Sequence, residues 1–318
     1  MMPKARPLPP AVAWVLTRRA PCALLAVALF ASGMWAGAAW TPLLALHLLT
    51  PALFALIAIG GGLAFGLQVA LIATALLALL AKGDMAPGLM LLVMYALLPM
   101  LAARTLKGPD GLARSARQLA IGLGCAMLAA LVVGASSQGV TPEEMVSRML
   151  QPLLDAMARQ NGMDAAAMER IRQAFAWFFP GLTALALWGI WWGDVVLARG
   201  IAIRHGFFRG DARPFSGLRF GREVAWTFLA LAAASLVATG PVRYLAFSAM
   251  LLAGGLLTAQ GLAVLHAWLG NRGTPWMLAP LYVVLLIQPV MLLPFTVAGL
   301  MDVWFDYRRR MTPDNGGR

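Results

Sequence analysis

The chain has 318 residues, 61% of them hydrophobic and 12% charged, with a mean hydropathy of +0.77. That leaves too few polar side chains to coat the helices or sheets of a water-soluble domain. A net charge of +12 would suit nucleic acid, but the basic residues lie in short loops between apolar runs, as topology signals and anionic-lipid contacts do, so the expected partner is the lipid bilayer and not a nucleic acid. Cys22 and Cys125 fall in different apolar segments without ligand spacing, so neither a disulfide framework, a metal site nor a cofactor is expected.

Residues 1–20 carry Lys4, Arg6, Arg18 and Arg19 and no acid, and read as a cytoplasmic basic arm. The run from Pro21 to Trp40 follows. Ala36-Gly37-Ala38 has the look of a signal-peptidase site, but another apolar segment begins at once, so the run is expected to be a retained helix. It carries Ser32xxxAla36 and Gly33xxxGly37, and Gly62xxxGly66 comes later; such small-xxx-small spacings let helices approach closely. The second run, about 42–59, ends at Gly60-Gly61-Gly62, and further runs cover about 63–81, 87–103 and 118–136. Each is near the 20 or so apolar residues that cross a bilayer.

Residues 137–172 differ. Thr141-Pro142-Glu143-Glu144 supplies an N-cap, a proline at the first helical position and a glutamate to close a capping box. Met145, Val146, Met149, Leu150, Leu153, Leu154 and Met157 then recur at helical spacing up to Asn161-Gly162, and Asp164 can cap a second helix. The segment reads as an amphipathic helical hairpin outside the hydrocarbon. A sixth run at about 174–198 holds Trp177, Phe178 and Phe179 near one end and Trp188, Trp191 and Trp192 near the other, which reads as two aromatic belts. A basic loop at 199–223, runs at about 224–239, 244–268 and 276–300, and a polar tail at 301–318 complete the chain.

The basic arm, the 104–117 loop and the 199–223 loop hold more than half of the Lys and Arg, so they belong in the cytoplasm, with the hairpin outside. The expected fold is an all-α polytopic bundle of eight or nine membrane helices in the bacterial inner membrane, comprising a six-helix unit at 21–198 and C-terminal helices at 224–300. Nine crossings would put Arg308-Arg309-Arg310 outside and eight would not, so the side of the tail stays open.

No Walker A loop, HExxH, GxSxG or dinucleotide glycine fingerprint occurs, and the chain is not expected to be an enzyme. Asp194, about a turn from the cytoplasmic end of its run, reads as an interfacial acid within reach of water or Arg199. His47, Gln68, Gln260, His266 and Gln288 are the other polar side chains at membrane depth, and each is open to the reading that it merely bonds neighbouring helices. His47 is the best binding candidate, because it sits in a short helix interrupted by Pro51, and interrupted helices expose backbone groups that need partners. Gln68 and Gln260 complete the candidate substrate contacts.

Ala259-Gln260-Gly261-Leu262-Ala263-Val264, and Gly299-Leu300-Met301-Asp302 followed by Asp306-Tyr307-Arg308-Arg309, resemble the YybS-like family of uncharacterised bacterial multi-pass membrane proteins. That family is distantly similar to the S components of energy-coupling-factor importers, which bind vitamins or metals and borrow an ATPase module. The resemblance to S components covers roughly the first 200 residues. It implies that Ser32, Gly33, Ala36 and Gly37 occupy the place that docks to an energising subunit. The 137–172 hairpin and the last three runs depart from that pattern. The expected function is a small-solute-binding or transport subunit without its own ATPase. The alternative is a structural or regulatory membrane scaffold that interacts with envelope proteins.

Overall fold

The computed structural model describes residues 7–35, 41–161 and 164–311; it is 86% helix, and no strand occurs among the described residues. In chain order the helices are α1 (Pro10–Thr17), α2 (Arg19–Trp35), α3 (Thr41–Leu48), α4 (Thr50–Gly60), α5 (Gly62–Leu80), α6 (Ala86–Met90), a π-helical segment (Leu91–Leu97), α7 (Leu98–Thr105), α8 (Gly111–Gln138), α9 (Pro142–Asn161), α10 (Ala165–Arg204), α11 (Arg222–Val237), α12 (Gly240–Asn271), α13 (Leu278–Ile287), α14 (Leu293–Phe305) and α15 (Tyr307–Met311).

Six helices among the described residues are long and apolar enough to cross a membrane: Pro42–Gly60, Gly62–Leu80, Ala86–Thr105, Gly111–Gln138, Met168–Arg204 and Gly240–Asn271. A seventh exists if Pro10–Thr17 and Arg19–Gly33, bent by 97° to one another, are one span. The eight or nine apolar runs of the sequence thus yield fewer long helices than runs, for identifiable reasons. The run at 276–300 breaks at Gln288 (φ −125°, ψ 78°), immediately before Pro289, because a residue ahead of proline is pushed out of the helical region. At about 1.5 Å per residue, α13 covers only about half of a bilayer core. The α11 helix stops at Val237, where Ala238 turns extended. Between α4 and α5 the chain turns through Gly62, whose φ of +83° favours glycine.

Contacts divide the chain into two compact units, Met1–Leu119 with Trp188–Arg213, and Ala120–Leu187 with Pro214–Arg318. In the first, α2 buries Cys22, Ala23, Ala26, Val27, Phe30 and Ala31 at helical spacing, and α5 buries Val69, Ala70 and Ala73. The same helices expose Leu24, Leu71 (56%) and Leu79 (76%). Small residues inside and leucines outside make up the surface of a protein solvated by lipid. Gly66 carries this to its limit, since a Cβ there would fall on the Met100 sulfur.

In the loop that closes this unit, buried Arg199 donates from Nη2 to the carbonyls of Asp211 and Arg213, each at 2.7 Å, and Arg213 bridges Asp211 (2.6 Å) and Asp110 (2.8 Å). The backbone N–H of Arg213, ahead of its side chain, holds the Asp211 carboxyl below the usual carboxylate range.

The second unit is built on a cluster of Leu131, Val146, Leu150, Leu154 and Tyr244, with Met127, Met168, Ile171 and Trp177 packed around it. Val146, Leu150 and Leu154 form the inward stripe of α9, while Met149, Leu153 and Met157 form a second, exposed stripe. The helix begins as its sequence requires. Glu144 N–H donates to Thr141 Oγ1 at 3.2 Å, a cap that stabilises a helix by about 1 kcal/mol. The Glu144 carboxylate does not close the box; it pairs with Arg148 at 2.6 Å. After α9, α10 starts at Ala165 and runs unbroken to Arg204, so residues 165–173 are the beginning of a long helix. The Tyr244 hydroxyl donates to the Ala176 carbonyl at 2.7 Å, tying α12 to this stretch of α10.

Candidate functional site

In the first unit, two irregularities of the helical backbone meet. One is the junction of α3 and α4 at Leu49, where Pro51 contributes no N–H to the new helix. The other is the π-helical segment Leu91–Leu97, a rare widening of a helix that recurs at functional sites. His47, in the last turn of α3, joins them. Its Nδ1 lies 2.7 Å from the Phe30 carbonyl, which only accepts, so Nδ1 carries the proton and donates. In the neutral ring Nε2 then accepts from the Tyr95 hydroxyl, 2.9 Å away in the π segment.

Aromatic rings extend the cluster. Phe30 stands edge-on to Tyr95 at 5.0 Å, His47 lies 5.2 Å from Phe30, and Tyr95 lies 5.1 Å from Trp191 of α10. Gly33 lies directly beneath the imidazole, where a Cβ would overlap the ring. With both ring nitrogens engaged, a ligand can bond His47 only by displacing the Tyr95 hydroxyl, or it can stack on the rings.

The other expected contacts fall elsewhere. Gln68 is exposed on α5 and makes no hydrogen bond to His47. Ser32 donates to the Leu29 carbonyl (2.6 Å) and the Leu43 carbonyl (3.0 Å), joining α2 to α3. Gly62 makes the turn into α5, and Gly66 packs on Met100. Ala36 and Gly37 lie outside the described residues. His266 bonds the Tyr282 hydroxyl at 2.9 Å.

Gln260 belongs to a different construction, in the second unit. It is 1% exposed, and both ends of its amide are taken: Oε1 accepts from Phe220 N–H (2.8 Å) and Nε2 donates to Asp302 Oδ2 (2.8 Å). The same oxygen accepts from Arg308 Nη2 at 2.7 Å, while Asp302 Oδ1 accepts from Tyr307 N–H at 3.0 Å. Arg308 Nη1 donates to the carbonyls of Ser216 (2.9 Å) and Leu218 (2.6 Å). Asp306, in the left-handed region at φ 41°, ends α14 and pairs with Arg219 at 2.8 Å. The arrangement ties the C-terminal helix to the 216–220 loop and to α12. It is a brace in which the Asp302 carboxylate gathers three donors.

Two expectations for α10 need correction. Trp188, Trp191 and Trp192 do not form an interfacial belt. All three are buried, Trp188 and Trp192 stack at 5.3 Å, and their indole N–H groups donate to the Ala116 carbonyl (2.9 Å) and Ser115 Oγ (3.2 Å). Asp194 is buried as well, and Arg199 turns to the loop carbonyls instead of to it. Tyr95 and Trp191 were the partners that sequence reasoning missed; the signal was a single tyrosine inside the apolar run at 87–103. Among the described residues, no group of three or more His, Cys, Asp and Glu side chains is placed to hold a metal ion.

A helical fold with six long apolar helices, small residues inside and leucines outside, defines a multi-span integral membrane protein. The chain belongs to the family described as "Predicted membrane protein (DUF2232)", which matches residues 24–303. Comparison with curated proteins and with solved structures returns no match.

Proposed function

We propose that the chain is a membrane subunit that binds a small solute and draws its energy from a partner. The observation that carries this reading is the His47–Tyr95 contact at 2.9 Å, set among aromatic rings where two helices lose their regular hydrogen bonding. An apolar site with a few placed polar groups is the usual form of a small-molecule pocket. Interrupted helices are where transporters of several folds bind their cargo. The lack of any nucleotide motif, and the resemblance of the first 200 residues to energy-coupling-factor S components, favour an ATPase supplied in trans; Ser32 and Gly33, the expected docking residues, are instead engaged with α3 through the Leu43 carbonyl and the His47 ring.

In this reading the protein lies in the bacterial inner membrane with its N-terminus and basic loops inside. The hairpin's first helix, α9, rests on the outer surface, its exposed Met149, Leu153 and Met157 against lipid. Cysteines placed at Arg114 and Arg209, in a chain without Cys22 and Cys125, should resist an impermeant thiol reagent in intact cells. Labelling of either from outside reverses the orientation.

Thermal unfolding of the purified full chain against a panel of vitamins, nucleosides and metal ions tests the site. A solute at about 100 times its Kd stabilises the folded state by about 2.7 kcal/mol. The expected result is stabilisation by one chemical class, weakened in Tyr95→Phe, which keeps the ring, and abolished in His47→Ala. No stabilisation of wild type by any member favours the scaffold reading, in which His47 only joins α2, α3 and the π segment.

A further inference from the structure

Two carboxylates among the described residues are more than nine-tenths buried, and they are built in opposite ways. Asp302, 4% exposed, accepts from an arginine, a glutamine amide and a backbone N–H. Asp194, 7% exposed, lies within the apolar span Met168–Arg204, and its Oδ2 has no hydrogen-bond partner. One turn earlier on the same helix, the indole N–H of Trp191, 1% exposed, has none either.

The charged and titratable groups on the elements packed around this stretch do not compensate the carboxylate. Tyr95, against Trp191, gives its hydroxyl to His47. Arg199 donates to the loop carbonyls, and its guanidinium lies over the Phe208 ring. On α8, which receives the Trp188 and Trp192 indoles, Arg114 is exposed.

An ionised carboxylate taken out of water without donors or a counter-charge is so unfavourable that such groups neutralise instead. We propose that Asp194 is an intramembrane proton-binding site, occupied at neutral pH by one proton drawn from the aqueous phase. The carboxylate and the proton combine to a neutral carboxyl, and the reverse step returns the proton to water. This assignment stands whether or not a solute binds at His47.

Infrared spectroscopy of the reconstituted full chain reads the site directly. Wild type should show the C=O band of a protonated carboxyl at neutral pH. That band should disappear in Asp194→Asn and persist in Asp302→Asn. Absence of the band from wild type, or its survival in Asp194→Asn, overturns the proposal. Should Asp194→Asn fail to fold, wild type is treated with a membrane-soluble carbodiimide, which attaches to protonated carboxyls. An adduct at Asp194 and none at Asp302 supports the site; no adduct at Asp194 overturns it.

Discussion

Asp302→Ala should destabilise the protein by about 3–5 kcal/mol, the range seen when one partner is removed from a buried ion pair. The deletion removes the acceptor shared by three donors: Arg308 Nη2, Gln260 Nε2 and the Tyr307 N–H. It takes the carboxylate away from a guanidinium that is 7% exposed on its side chain and whose Nη1 is held by the carbonyls of Ser216 and Leu218. Arg308→Met should be milder, because Asp302 keeps the Gln260 and Tyr307 donors. The double variant should recover part of the loss, since removing both charges abolishes the desolvation of each. Unfolding of the four proteins in one detergent measures this. A loss below about 1 kcal/mol for Asp302→Ala would mean that water already enters the brace, since exposed pairs are worth that little.

Gln260, Asp302, Asp306, Tyr307 and Arg308 of this brace lie in two short stretches singled out in the sequence. Gln260 and Gly261 come from the first motif, and Gly299, Asp302 and Arg308 from the second. Hydropathy alone could not join them, because the two stretches lie 42 residues apart at Gln260 and Asp302. The helical class and most of the apolar runs were legible because a run of about 20 apolar residues has one stable solution in lipid. Which face of each helix turns inward was not. In water a polar face marks the outside, but in lipid both faces are apolar. Thus Trp188, Trp191 and Trp192 read as an exterior belt yet lie inside. The same limit hid Tyr95, whose partner His47 is 48 positions away, although Pro51 correctly marked the interruption beside His47. The break at Gln288 was announced by Pro289, but the apolar residues on either side masked it as one run.

Gly299→Ala should destabilise by about 1–3 kcal/mol, the usual consequence of forcing an extra carbon into a packed interior, and Gly299→Leu by more. A Cβ on Gly299 would overlap the Leu257 carbonyl and approach the Gly261 nitrogen; one on Gly261 would overlap the Phe295 carbonyl. These obstacles are backbone atoms, which cannot rotate away as a side-chain tip can. The helices α12 and α14 must therefore separate, and with them the Thr258–Thr296 hydroxyl pair (2.7 Å) and the Gln260–Asp302 bond (2.8 Å). Because both substitutions then strike one contact, Gly299→Ala and Asp302→Ala should fall short of additivity. Gly189→Ala and Gly270→Ala are the controls. Both glycines are helical with open space where a Cβ would go, and helix propensity favours alanine there by up to about 1 kcal/mol. If Gly299→Ala proves as harmless as these two, the close approach of α12 and α14 is not what holds the C-terminal helices together.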